Sequence, residues 1–121
     1  VAGRVAKAEA IIAAIGDVPG VRPPIVRPGC RHVYYTIPFL IEENRLWFVR
    51  ALKAEGVPLV EGYVDPLYRL PAFAAYARPC PVAEDLHDRR LFYYENCAYD
   101  PTPEQIRQIG EAFRKVAEQM L

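Results

Sequence analysis

Residues 56–86 read GVPLVEGYVDPLYRLPAFAAYARPCPVAEDL, and the expected fold turns on them. Gly56 ends a helix, Pro58 to Tyr63 is a short apolar strand, and a long run rich in Pro and Tyr follows before any periodic pattern returns. A compact domain seldom carries so long an irregular stretch unless it is functional or disordered, and the Tyr, Phe and Leu content argues against disorder. The stretch is therefore expected to be an ordered, site-forming loop. It contains no complete catalytic constellation.

On its N-terminal side, Asn44 is placed to cap a helix running to Glu55, with Leu46, Val49 and Leu52 inward, Trp47 and Phe48 widening the apolar face, and Gly56 at the C′ position. Before that helix, His32 to Ile41 (HVYYTIPFLI) reads as a strand. Val33, Tyr35, Ile37, Phe39 and Ile41 share its apolar parity, and His32, Tyr34, Thr36 and Pro38 share the other. Pro38 cannot donate a ladder bond, which predicts a sheet edge or a bulge there. Residues 1–18 read as the end of a connecting helix, with Val5, Ala8, Ile12 and Ile15 at helical spacing and Gly16, Asp17 and Pro19 stopping it. It is short enough to need a packing partner. Residues 19–31 are a proline-stiffened linker.

On the C-terminal side, Leu91 to Asn96 (LFYYEN) is a third strand. Thr102 at the N-cap, Pro103 after it and Gln105 at the third position make a capping-box sequence, followed by Ile106, Ile109, Phe113, Val116 and Met120 on one face. Such a helix needs a sheet to lie on. The expected class is α+β: a small antiparallel sheet of about three strands with helices packed on one face, formed by residues 32–121.

Composition bounds the function. With 121 residues, 52% hydrophobic and 25% charged, the chain has the makings of one ordinary globular domain. Fifteen basic and fifteen acidic residues cancel, so no field recruits nucleic acid or an anionic membrane. No apolar run is long enough to span a bilayer. Cys30, Cys80 and Cys97 are too few for a disulfide scaffold, which suits a reducing cytoplasm, and Cys80 and Cys97 are expected to be buried and inert. There is no serine, no glycine-rich phosphate loop, and no paired spacing of His and Cys for a metal site.

The order of VYY, RxxxVxALKAEGVPL, GYVDPLYRLPAF, CPVAEDL, LFYYENC and DPTPEQIRQIGEAFRKV resembles the C-terminal region of the DegT/DnrJ/StrS sugar aminotransferases, across nearly the whole chain. The resemblance implies the C-terminal small domain of a homodimeric enzyme of the aspartate-aminotransferase fold. Such an enzyme uses pyridoxal phosphate to move an amino group from glutamate or glutamine to a keto sugar or keto cyclitol. In such enzymes a large N-terminal domain carries the Schiff-base lysine and the cofactor site. Of the lysines here, Lys7, Lys53 and Lys115, none sits in a family-like motif. The chain begins within a helix pattern and without Met, which fits a piece of a longer protein, and this stretch alone is expected neither to hold the cofactor nor to transaminate. Many relatives carry a His–Tyr pair where this chain has Gly62 and Tyr63, and His where it has Tyr68. That departure points to cyclitol or antibiotic-pathway substrates.

Four residues are candidate substrate contacts. Tyr63 and Tyr68 each offer an apolar face and one hydrogen bond to a sugar hydroxyl, although loop tyrosines also simply pack. Arg69 is suited to a donor carboxylate, with Asp65 and Glu84 as rival intramolecular partners. Tyr34 is expected on the sheet face free to meet another domain, which a second packed layer would equally bury. The alternative from another class is a non-catalytic α+β binding or dimerisation module acting on its own.

Overall fold

The computed structural model describes residues 1–120. Helix α1 (Ala2–Ile15) leads through a turn to β1 (Val21–Arg22), β2 (Ile37–Ile41), α2 (Arg45–Ala54) and β3 (Leu59–Glu61). Two 3₁₀ segments, Leu67–Arg69 and Pro71–Tyr76, and a short helix α3 (Pro81–Asp85) that runs on as a π-helical turn (Leu86–Arg90) occupy the long loop. Strand β4 (Leu91–Tyr94) and helix α4 (Pro103–Glu118) follow. The sheet is antiparallel with order β1-β2-β4-β3.

The α+β architecture is the expected one, with four strands rather than about three, because Val21 and Arg22 of the proline-rich linker pair with Ile41 and Leu40. This places β2 inside the sheet, although Pro38 lies beyond the two residues of β1 and is paired only with Tyr93 of β4. Its missing N–H thus costs no ladder bond on the β1 side.

One face of the sheet carries Ile37, Phe39, Ile41, Phe92, Tyr94 and Leu59, all buried beneath α1, α2 and α4. Phe39, Phe48, Phe92 and Phe113 meet with ring centroids 5.5–6.4 Å apart, within the range in which aromatic pairs attract beyond their area burial. Helix α1 has the packing partner it needs in α4, where Gly110 lets the two backbones approach: a Cβ there would lie 2.7 Å from the carbonyl oxygen of Ala14. The start of α4 is as expected, with the Thr102 side chain accepting from the Gln105 N–H at 3.2 Å and the Gln105 side chain accepting from the Thr102 N–H at 2.8 Å.

Four expectations are corrected. In α2 the inward face is Phe48, Val49 and Leu52, while Leu46 and Trp47 are about half exposed. Asn44 stands at the cap position with φ 56° and makes no side-chain cap bond. The strand expected from His32 is realised only from Ile37, because Tyr34 adopts φ 47° and reverses the inward parity. Tyr34 is therefore 6% exposed and part of the core, while Val33 and Tyr35 face outward. The turn is held by His32 Nδ1, which accepts from the Tyr34 N–H at 2.9 Å, by stacking of the two rings 4.1 Å apart, and by Asn96 Nδ2 donating to the Tyr34 carbonyl at 2.9 Å. Cys30, Cys80 and Cys97 are all exposed free thiols, since each lies in a loop or at a helix start outside the layered core.

Candidate functional site

Alternation along β4 and beyond decides what the open sheet face presents. Phe92, Tyr94 and Asn96 turn into the core, so Tyr93 and Glu95 take the opposite face. There they line a cleft of about 330 Å³ together with Tyr35, Thr36, Tyr63 and Cys97. Tyr63 enters it from the loop, its ring edge-on to Tyr93 at 5.5 Å. Burial raises the Tyr93 hydroxyl above the ordinary phenol range, with Glu95 adding to the shift. The cleft thus offers three phenols, one threonine hydroxyl and one carboxylate, a set that donates to and accepts from a polyhydroxylated ligand.

The other expected contacts are turned elsewhere. Tyr68 donates to Glu84 Oε1 at 2.8 Å, and the same oxygen accepts from the Cys80 N–H at 3.3 Å, fastening a 3₁₀ segment to the start of α3. Loss of hydration first, and the Glu84 contact second, push the Tyr68 hydroxyl up to about 12. The reciprocal bond from Tyr68 holds Glu84 below the usual carboxylate range. Arg69 grips neither Asp65 nor Glu84 but makes a bidentate pair with Asp88, at 2.7 and 2.8 Å. Asp88 is depressed far below the carboxylate range by Arg69 first and His87 second. Tyr34, buried in the core, does not reach the open face.

The loop is ordered by backbone anchors as well. Arg45 Nη1 donates to the carbonyls of His87 and Leu91 at 2.5 and 3.0 Å, and its Nη2 donates to that of Asp88 at 2.7 Å. The Gly62 N–H donates to the Leu91 carbonyl at 2.8 Å. These contacts hold the loop at its ends while its middle stays at the surface: Val64, Leu67, Phe73, Tyr76 and Val82 are exposed. Tyr93 and Glu95 were legible in the period of the LFYYEN strand. Thr36 was read on the open parity as well, but Tyr35 was not, because the left-handed turn at Tyr34 leaves no pattern in the sequence.

No lysine of the described residues fits a pyridoxal phosphate anchor. Lys7 Nζ donates to the Tyr99 carbonyl at 2.5 Å and sits 3.6 Å from Asp100, and Lys115 Nζ lies 2.7 Å from Glu55. Both are engaged by oxygen acceptors, whereas an anchor needs its amine free to attack the cofactor. Lys53 borders a larger groove of about 570 Å³ whose charged lining is Lys53, Glu55 and Asp100, a net negative surface unsuited to a phosphate.

No family model matches the sequence, and no curated protein does. Solved structures do. DesV of S. venezuelae superposes with a TM-score of 0.77 at 21% identity, over 97% of this chain and 32% of DesV. The aminotransferase TlmJ from Streptoalloteichus hindustanus gives 0.76 at 18%, over 99% of this chain and 32% of TlmJ. A DegT DnrJ EryC1 StrS aminotransferase from Brucella abortus gives 0.69 at 25%, over 93% of this chain and 31% of its own. This chain has the fold of the small domain of these aminotransferases. It spans about a third of their length, and the fold agrees with the resemblance carried by the loop and the closing helix.

Proposed function

We propose that this chain is the C-terminal domain of a pyridoxal-phosphate-dependent aminotransferase, homodimeric and cytoplasmic, that moves an amino group from glutamate or glutamine to a keto sugar or keto cyclitol. The observation that carries the reading is the shared fold, which takes in 93–99% of this chain in structures about three times its length. The cofactor, whose role in such an enzyme is to accept and return the amino group, would be anchored by chain outside this stretch, because Lys7, Lys53 and Lys115 make no cradle for it. What these residues contribute is a wall of the acceptor cleft. Tyr63, Tyr93 and Glu95 bind and orient hydroxyl groups on the open sheet face, and Tyr68 and Arg69 brace the loop that delivers Tyr63.

The test is amino transfer by the intact protein that carries this chain, supplied with pyridoxal phosphate, glutamate or glutamine, and a panel of keto sugars and keto cyclitols, with amino products read by mass spectrometry. Transfer is expected with at least one pair, and its absence with all of them refutes the reading. Tyr63→Phe should then lower kcat/KM for the acceptor about two- to tenfold, the worth of one hydrogen bond, with cofactor binding unchanged. Arg69→Lys should loosen the loop without altering the KM for the donor. A raised donor KM would instead make Arg69 a carboxylate contact.

A further inference from the structure

Both ring nitrogens of His87 face acceptors. Nδ1 lies 2.8 Å from Oδ1 of Asp88, and Nε2 lies 3.3 Å from the carbonyl oxygen of Tyr63 and 3.7 Å from Oδ1 of Asp65. A neutral imidazole has one N–H and one lone pair, so it satisfies one side and sets a lone pair against oxygen on the other. The imidazolium satisfies both. The second histidine is wired the opposite way, since His32 Nδ1 accepts from the Tyr34 N–H and must keep its lone pair.

Oxygen acceptors stand on both sides of the ring. The groups facing the ring are the carboxylates of Asp88 and Asp65 and the Tyr63 carbonyl; the guanidinium of Arg69 reaches the ring only through Asp88. Arg45 of α2 binds the carbonyls of His87 and Asp88 rather than the imidazole. Arg89 and Arg90 are engaged by Asp85, and Arg90 also by Glu42. Gly62 makes room for the ring: its φ is +63°, and a Cβ there would lie 3.2 Å from the His87 carbonyl oxygen and 3.3 Å from Nε2. The imidazole thus occupies space that a side chain at position 62 would claim.

We propose that His87, as an imidazolium, is the positioning residue of the cleft: it ties the backbone of Tyr63 and the carboxylate of Asp65 to the Asp88–Arg69 pair and so fixes where the Tyr63 ring stands. This rests on the reading of the loop as a cleft wall.

With only two histidines, His32→Gln assigns the ring signals of the ¹⁵N-labelled chain. Both nitrogens of His87 should carry a proton directed at Asp88 on one side and at Tyr63 or Asp65 on the other, while Nδ1 of His32 should be bare as the acceptor of the Tyr34 N–H. The Gly62, Arg69 and Leu70 amides, bonded to Leu91, Pro66 and Leu67, should exchange about two- to fivefold faster in His87→Gln, the factor expected for one partly exposed charged contact. Gly62→Ala, which leaves the histidine in place but takes its space, should have the same effect. A His87 with a single ring proton, or loop amides indifferent to both substitutions, overturns the clamp. In the intact enzyme, His87→Gln should raise the acceptor KM about two- to fivefold with the donor KM unchanged. If the imidazolium and the amide effects are present but KM does not respond, the clamp stands and the reading of the loop as a cleft wall fails.

Discussion

Replacing Gly110 by alanine puts a methyl group where α1 and α4 touch. The new Cβ would lie 2.7 Å from the Ala14 carbonyl oxygen, 3.2 Å from the Ala14 Cβ and 3.3 Å from its carbonyl carbon, and two of those three neighbours are backbone that cannot rotate away. Separating the helices also strains the bond by which Arg114 Nη2 reaches that same carbonyl at 2.8 Å. Overpacking of this kind costs about 1–3 kcal/mol, and exchanging glycine for alanine in a helix interior returns about 0.5–1 kcal/mol. The net expectation is a loss of about 0.5–2 kcal/mol, or a fall of about 2–10 °C in Tm for a domain of this size. Gly3→Ala is the matched control, because it lies in α1 with nothing within 4 Å of the new methyl and should stabilise by a few tenths to 1 kcal/mol. Urea unfolding of the three proteins reads both. If Gly110→Ala proves as stabilising as Gly3→Ala, the close approach of α1 and α4 is not as described.

Thr102→Ala removes the hydroxyl that accepts from the Gln105 N–H, while the backbone N–H at 102 can still donate to the Gln105 side chain, and should cost about 0.5–2 kcal/mol in urea unfolding, with the helical circular dichroism signal little changed. Asn96→Ala should cost about 2–4 kcal/mol by the same measurement, because it leaves the carbonyls of Tyr34 and Arg4 without the donor that now serves both from a fully buried position. A spectrophotometric titration should find a tyrosine ionising only at about pH 12, and Tyr68→Phe should abolish that step. Because the folded value of this phenol is raised, its contribution to stability is whole below its unfolded value of about 10 and is lost as pH rises towards 12. Glu84→Gln should bring the step down only part of the way, since lost hydration is the larger cause.

The helices and the antiparallel sheet were legible because their signals are local: the capping box of α4, the glycine after α2, the period of β4. What escaped the sequence was set by contacts distant in the chain. The parity of residues 33–35 was overridden by a left-handed turn that Asn96, sixty-two residues away, holds in place. Val21 and Arg22 became a strand because Leu40 and Ile41 offered a free edge, although the prolines around them argued for a linker. Within the loop, composition identified order and a surface role, but not which acid each side chain would choose. Arg69 took Asp88, which a helical turn carries to it, over the nearer Asp65.

Strand β1 is two residues long and runs straight into Pro23 and Pro24, while β3 is three residues long and ends at Gly62. Both borders of the sheet are poor templates for a further strand from another chain, because the strands there are short and proline supplies no amide. The protein is thereby guarded against edge-to-edge aggregation. Association through backbone pairing is disfavoured there relative to association through side chains on the open face or along the loop.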